Sequence, residues 1–117
     1  MSILRRLFGN SSAANSDYIE AEVLQDQLRS ATPPILVDVR GPGEFAGPLG
    51  HISGARNIPL DQIPAKAAEL AKEKQPIVLV CHSDRRSSMA AKMLQRAGIS
   101  SVSVLRGGMA AWRAGNR

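Results

Sequence analysis

One cysteine, two histidines, one tryptophan, one tyrosine and two phenylalanines occur in 117 residues, and each scarcity removes a class of protein. A single cysteine cannot close an internal disulfide, so the fold needs no oxidising compartment and a free thiol persists, which favours a cytoplasmic setting. One cysteine and two distant histidines also fall short of the four ligands of structural zinc, and no metal site is expected. No apolar run approaches the roughly 18 residues of a membrane span, which argues against stable membrane insertion. The opening "MSILRRLFG" lacks the apolar stretch of about 7 to 15 residues that a secretory signal requires, so no export is expected. Few aromatics and dispersed basic residues speak against nucleic-acid binding despite a net charge of +5. That charge fits a generic basic surface or a small anionic partner.

What is present describes one soluble globular domain, with 44% apolar and 21% charged residues. Residues 1–16 read as an N-terminal extension and residues 17–117 as the domain. Within the extension Ile3, Leu4, Leu7 and Phe8 could line one face of a short helix, with Arg5 and Arg6 opposite, before the linker-like "GNSSAANS". So short a helix is marginal in water, and a loosely packed extension is expected rather than a docking peptide.

From Tyr18 onward the punctuation is regular. "EAEVLQDQLRSA" has helical period, with Val23, Leu24, Gln27 and Leu28 on successive turns, and "TPP" stops it. "ILVDV" (35–39) is a β-branched run that ends in the Gly- and Pro-rich "RGPGEFAGPLG", read as loop. "AKAAELAKEK" (65–74) is helical by propensity, and "IVLV" (77–80) is the unbroken apolar run of a strand buried on both faces. A helix is expected from about Ser87, with Ala90, Met93, Leu94 and Ala97 on its core face, the methionines serving as core, and Gly98 as its stop. "SVSVL" (101–105) is the next strand, "RGG" a turn and "MAAWRA" a last short helix. Strands alternating with helices predict an α/β domain with a parallel sheet covered on both faces.

Cys81 stands where the strand "IVLV" ends and the loop "CHSDRRS" leads into a helix. In parallel sheets this is the place where ligands bind, and the unpartnered N–H groups at the start of a helix converge there. Arg85 and Arg86 add positive charge, so the loop favours an anionic, nucleophilic sulfur and forms an anion pocket. The competing reading, a small buried hydrophobe, does not explain two arginines beside the sulfur. His82, next in sequence, reads as solvent-facing or loop-stabilising rather than as a general base.

These residues resemble a known family. A cysteine at a strand end, arginine and serine five and six positions later, a helix ending in Gly, a strand and "GGMAAW" are similar to the rhodanese-like sulfurtransferases. "LVDVRGPGEFAGPLGHISGARNIPL" resembles that family's Asp-Val-Arg, Glu-Phe, Gly-His-Ile and Gly-Ala-x-Asn-Ile-Pro signature. The resemblance runs from about Tyr18 to Trp112. It implies a central five-stranded parallel sheet with helices on both faces, and a catalytic Cys81 that carries a persulfide. The expected activity is thiosulfate sulfurtransferase, moving sulfane sulfur from thiosulfate or a persulfide to cyanide or a thiol without any cofactor. A protein could be the sulfur donor or acceptor. Arg86 would hold the donor's sulfonate, and the N–H groups of His82, Ser83, Asp84, Arg85, Arg86 and Ser87 would stabilise the persulfide.

Asp84 departs from the family pattern, which commonly has glycine there. Aspartate tolerates a left-handed backbone, so the loop can still form; its carboxylate either pairs with Arg85 or repels an anionic donor. Repulsion would make thiosulfate a poor substrate. Asp38, Arg40 and Glu44 are expected to brace the loop by ion pairs rather than to act as acids and bases. His51 reads as a structural hydrogen-bonding residue, and Gly107 and Gly108 as permitting close approach of the last loop. The alternatives are a non-enzymatic interaction or sulfur-carrier module and, less favoured, a cysteine phosphatase or arsenate reductase. The four residues between Cys81 and Arg86 are one fewer than in the phosphatase loop, giving a tighter cradle.

Overall fold

The computed structural model describes residues 17–117, so the expected helix at Ile3 to Phe8 lies outside the described residues. In chain order the elements are β1 (Asp17–Ile19), α1 (Ala21–Leu28), β2 (Ile35–Asp38), α2 (Pro42–Phe45), β3 (Arg56–Asn57), α3 (Ile63–Ala71), β4 (Ile77–Val80), α4 (Arg85–Arg96), β5 (Val102–Leu105) and α5 (Gly108–Ala114). The five strands form one parallel sheet in the order β1-β5-β4-β2-β3. Among the described residues no helix is long and apolar enough to cross a membrane.

The continuous apolar runs are explained by two separate cores, one on each face. Side chains alternate along a strand, so Ile35, Val37, Val39, Ile77, Leu79 and Cys81 face one way and Leu36, Val78 and Val80 the other. The first set packs against Ile63, Ala67 and Leu70 of α3 and Ala90, Ala91 and Leu94 of α4; the second packs against Ala21 and Leu24 of α1 and Met109 and Trp112 of α5. Fully burying a residue such as Leu79 stabilises the domain by about 1.5–3 kcal/mol. Cys81 continues the alternation of β4, which fixes its sulfur on the α4 side of the sheet.

Several local expectations are corrected. The Gly- and Pro-rich segment contains α2, begun by Pro42 at its first position and by the Glu44 carboxylate, which accepts the Gly41 N–H at 3.2 Å. Helix α4 begins at Arg85, two residues before Ser87, and its Ala97 end is exposed. On α1 only Ala21, Leu24 and Leu28 turn inward, whereas Val23 and Gln27 are exposed. The methionines divide as well: Met109 is buried, Met93 packs at the core's edge, and Met89 lies 46% exposed.

Candidate active site

The loop after β4 is held from both sides. On the α5 side the Met109 N–H donates to the Cys81 carbonyl at 2.8 Å and the Ala110 N–H to the His82 carbonyl at 3.1 Å. In a trans peptide the N–H points opposite to its carbonyl, so the N–H groups of His82 and Ser83 are turned away from the α5 amides. On the α4 side Ser87, in the first turn of that helix, donates its N–H to Cys81 Sγ at 3.4 Å. Cys81 is 1% exposed, so it is at once a core residue and the acceptor at a helix N-terminus. Ser87 is buried too, and its hydroxyl has no hydrogen-bond partner among the described residues.

Gly108 makes this clamp possible. Its φ is +56°, and a Cβ there would lie 2.3 Å from the Cys81 carbonyl oxygen and 2.5 Å from that of Ser83. Gly107 is left-handed as well, and its N–H donates at 2.7 Å to the carboxylate of Asp84. This contact corrects one expectation for Asp84: the carboxylate does not pair with Arg85 but ties the sulfur loop to the turn before α5. The backbone at Asp84 is not left-handed either, with φ at −141°.

Behind the loop, Asp38 and Arg40 form a buried ion pair. Arg40 Nη2 and Nε reach the two carboxylate oxygens at 2.8 and 2.9 Å, the Arg40 N–H adds a bond at 3.1 Å, and Nη2 also donates to the Gly50 carbonyl at 2.7 Å. Asn57 donates from Nδ2 to the carbonyls of Asp38 and Arg40, at 3.0 and 2.9 Å. Arg113 of α5 donates from Nε to the Leu49 carbonyl at 2.7 Å. Two guanidiniums thus hold neighbouring carbonyls of the segment after α2. His51 completes that segment, with Nδ1 2.9 Å from the Phe45 carbonyl and its ring stacked on Phe45 at 3.6 Å. The bracing roles of Asn57 and Arg113 were not anticipated; the signal for Asn57 was its place in the Gly-Ala-x-Asn-Ile-Pro signature.

Glu44 turns instead toward Arg86. The pair is bidentate, at 2.6 and 2.9 Å, and it joins α2 to the first turn of α4. The Arg86 guanidinium, helped by the Gly41 N–H and opposed by partial burial, holds the Glu44 carboxyl at about 2, below its ordinary 4.5. Arg86 is pushed above its ordinary value by Glu44 and, more weakly, by Cys81 and Asp38. His82, Ser83 and Arg85 are exposed around the loop. The structure therefore gathers Cys81, the loop from His82 to Ser87, Glu44, Gly107 and Gly108 at one end of the sheet, with Asp38 and Arg40 behind them and His51 at the margin. Among the described residues no group of three or more His, Cys, Asp or Glu side chains could hold a metal ion.

Comparisons with known proteins point the same way. The Rhodanese-like domain model matches residues 20–115. A "Sulfurtransferase" of Allochromatium vinosum is 36% identical over 94 residues, covering 80% of this chain and 85% of that protein. The "Uncharacterized protein YqhL" of Bacillus subtilis is 44% identical over 77 residues, or 66% of this chain, which spans only 59% of YqhL. The solved rhodanese-like domain of Alr3790 from Anabaena sp. superposes with a TM-score of 0.74 at 31% identity, covering 85% of this chain and 74% of that one. With the sheet, the clamped cysteine loop and these matches in agreement, the chain belongs to the rhodanese-like domain family.

Proposed function

We propose that the protein is a sulfurtransferase that carries sulfane sulfur on Cys81. The observation that carries the reading is the position of Cys81 Sγ at the end of β4, accepting the Ser87 N–H at the start of a helix while α5 fixes the carbonyls of Cys81 and His82. A neutral buried cysteine needs no such donors, whereas an anionic sulfur does. The relative named sulfurtransferase supports the same class of chemistry.

In the proposed cycle the Cys81 thiolate attacks the outer sulfur of a donor. With thiosulfate a new S–S bond forms to Cys81, the donor's own S–S bond breaks, and sulfite leaves with the electron pair. The terminal sulfur of the resulting persulfide anion then passes to cyanide, giving thiocyanate, or to a thiolate, giving a new persulfide, and the Cys81 thiolate is restored. This is covalent catalysis in two displacements, and it needs no cofactor. Loop N–H groups stabilise the anionic sulfur through both steps, and the buried Ser87 hydroxyl offers a further donor once a terminal sulfur is present. A protein thiol or persulfide would serve as partner by the same exchange.

Intact-mass measurement after exposure to thiosulfate or a small persulfide tests the reading. A gain of one sulfur on the peptide containing Cys81, reversed by a reductant, is expected. Cys81→Ser should stay folded, gain no sulfur and form no thiocyanate, because a hydroxyl cannot store sulfane sulfur. Turnover by the folded serine variant would sink the mechanism.

A further inference from the structure

We infer that Glu44 selects the sulfur donor by occupying the Arg86 guanidinium, so that the site favours persulfides over donors with a doubly charged anionic head. The inference rests on the proposed sulfurtransferase reading and specifies its substrate class.

Arg86 is the loop's arginine nearest in sequence to Ser87, and the Cys81 charge acts on it. Both of its terminal nitrogens are engaged by the two Glu44 oxygens, at 2.6 and 2.9 Å. Thiosulfate brings a sulfonate that seeks the same planar fork. Binding across those two nitrogens requires the Glu44 carboxylate to leave, and binding on the Nε edge, which Glu44 does not engage, leaves that charge beside the incoming dianion. Glu44 stays ionised at any pH compatible with turnover, because Arg86 and the Gly41 N–H hold its proton off down to about 2. The competition is therefore permanent. A persulfide R–S–S⁻ differs in the one respect that matters. It presents a single sulfur anion, which the N–H groups beside Cys81 suit, and it can react without breaking the Glu44–Arg86 pair.

The competition is weak enough to be measurable. Both partners are partly exposed, 44% for the Glu44 side chain and 35% for Arg86, so the pair can open without unfolding the loop. Glu44→Gln is the informative change, since the amide oxygen can keep the Gly41 N–H bond while the competing charge is lost. The ratio of kcat/KM for thiosulfate to kcat/KM for glutathione persulfide should rise about two- to fivefold, mainly through a lower thiosulfate KM, the range expected for releasing a part-exposed ion pair. The gain should vanish when Arg86→Gln is combined with it, because the cycle then lacks the group that was freed. An unchanged ratio, or the same gain without Arg86, would overturn the inference; the second result would mean that Glu44 acts only as a distant negative charge, or that exposed Arg85 receives the donor.

A second measurement does not depend on sulfur transfer. Sulfate should protect Cys81 from iodoacetamide at about two- to fivefold lower concentration in Glu44→Gln than in the natural protein. If neither donor loads Cys81, the sulfurtransferase reading fails, yet the sulfate series still decides whether Glu44 and an anion compete for Arg86. Equal protection in both proteins would overturn the inference.

Discussion

Asp38–Arg40 and Glu44–Arg86 are the same ion pair chemically, but the first has side chains 1% and 2% exposed and the second 44% and 35%. The two carboxylates stand six positions apart in the chain, and both pairs stand beside one sulfur loop. The inner pair lies at the end of a fully buried strand, so its charges are compensated by a fixed set of bonds that includes the Gly50 carbonyl and the Arg40 N–H. The outer pair joins a four-residue helix to the first turn of another, where water can replace either partner. Burial thus assigns the roles: the floor of the site is architecture, and its rim is free to respond to a ligand.

Removing one partner of the floor pair should have the largest effect. Arg40→Ala strands the Asp38 carboxylate in the interior and frees the Gly50 carbonyl, so a loss of about 3–5 kcal/mol is expected in chemical denaturation. Replacing both Asp38 and Arg40 by apolar residues of similar volume should cost much less, because no buried charge is then left alone. A loss below about 1 kcal/mol for Arg40→Ala would show that water reaches the floor, and the contrast with the rim would collapse.

The floor can also be attacked from α5. Gly108→Ala forces a left-handed residue with a side chain and drives its Cβ into the Cys81, His82 and Ser83 carbonyls, at 2.3, 2.7 and 2.5 Å. The backbone cost alone is about 1–2 kcal/mol, and relief of the clash must shift the loop. Destabilisation of about 2–4 kcal/mol and a changed rate of Cys81 alkylation are expected together. Full stability with an unaltered alkylation rate would mean that α5 does not position the loop.

The floor was easier to read from the sequence than the rim. Strands β2 and β4 announce themselves because burial on both faces demands near-continuous apolar runs, and the end of such a run located Cys81; β5 is marked by its valines on either side of Ser103. The edge strands β1 and β3, three and two residues long, leave no comparable pattern. Helix α2 hid inside glycines and prolines, although Pro42 followed by Glu44 is a legible helix start. Partners distant in sequence were the real obstacle. Asp84 meets the Gly107 N–H across 23 positions, and Glu44 meets Arg86 across 42. The residue types were legible as charged and loop-bound, but nothing local says that one carboxylate caps a backbone turn while another takes the arginine expected to hold the donor.

The smallest effect belongs to the rim and follows from pH. The Glu44 carboxyl titrates at about 2 in the folded protein against an ordinary 4.5, so its ionised form stabilises the fold, fully above 4.5 and progressively less as pH falls toward 2. Solvent screens a pair this exposed, and its contribution near neutrality is about 0–1 kcal/mol rather than what the shift alone would suggest. Glu44→Gln should therefore melt slightly below the natural protein at pH 6, and the gap should close between pH 4.5 and 2 as the unfolded chain of the natural protein takes up the proton. Thermal melts of both proteins across that range make the comparison directly. A gap that stayed constant down to pH 2 would mean that the Glu44 charge contributes nothing to folding and that shape alone separates the two proteins. A gap of several kcal/mol at pH 6 would mean that the rim is as sealed as the floor, and a carboxylate so firmly held could not yield Arg86 to a donor.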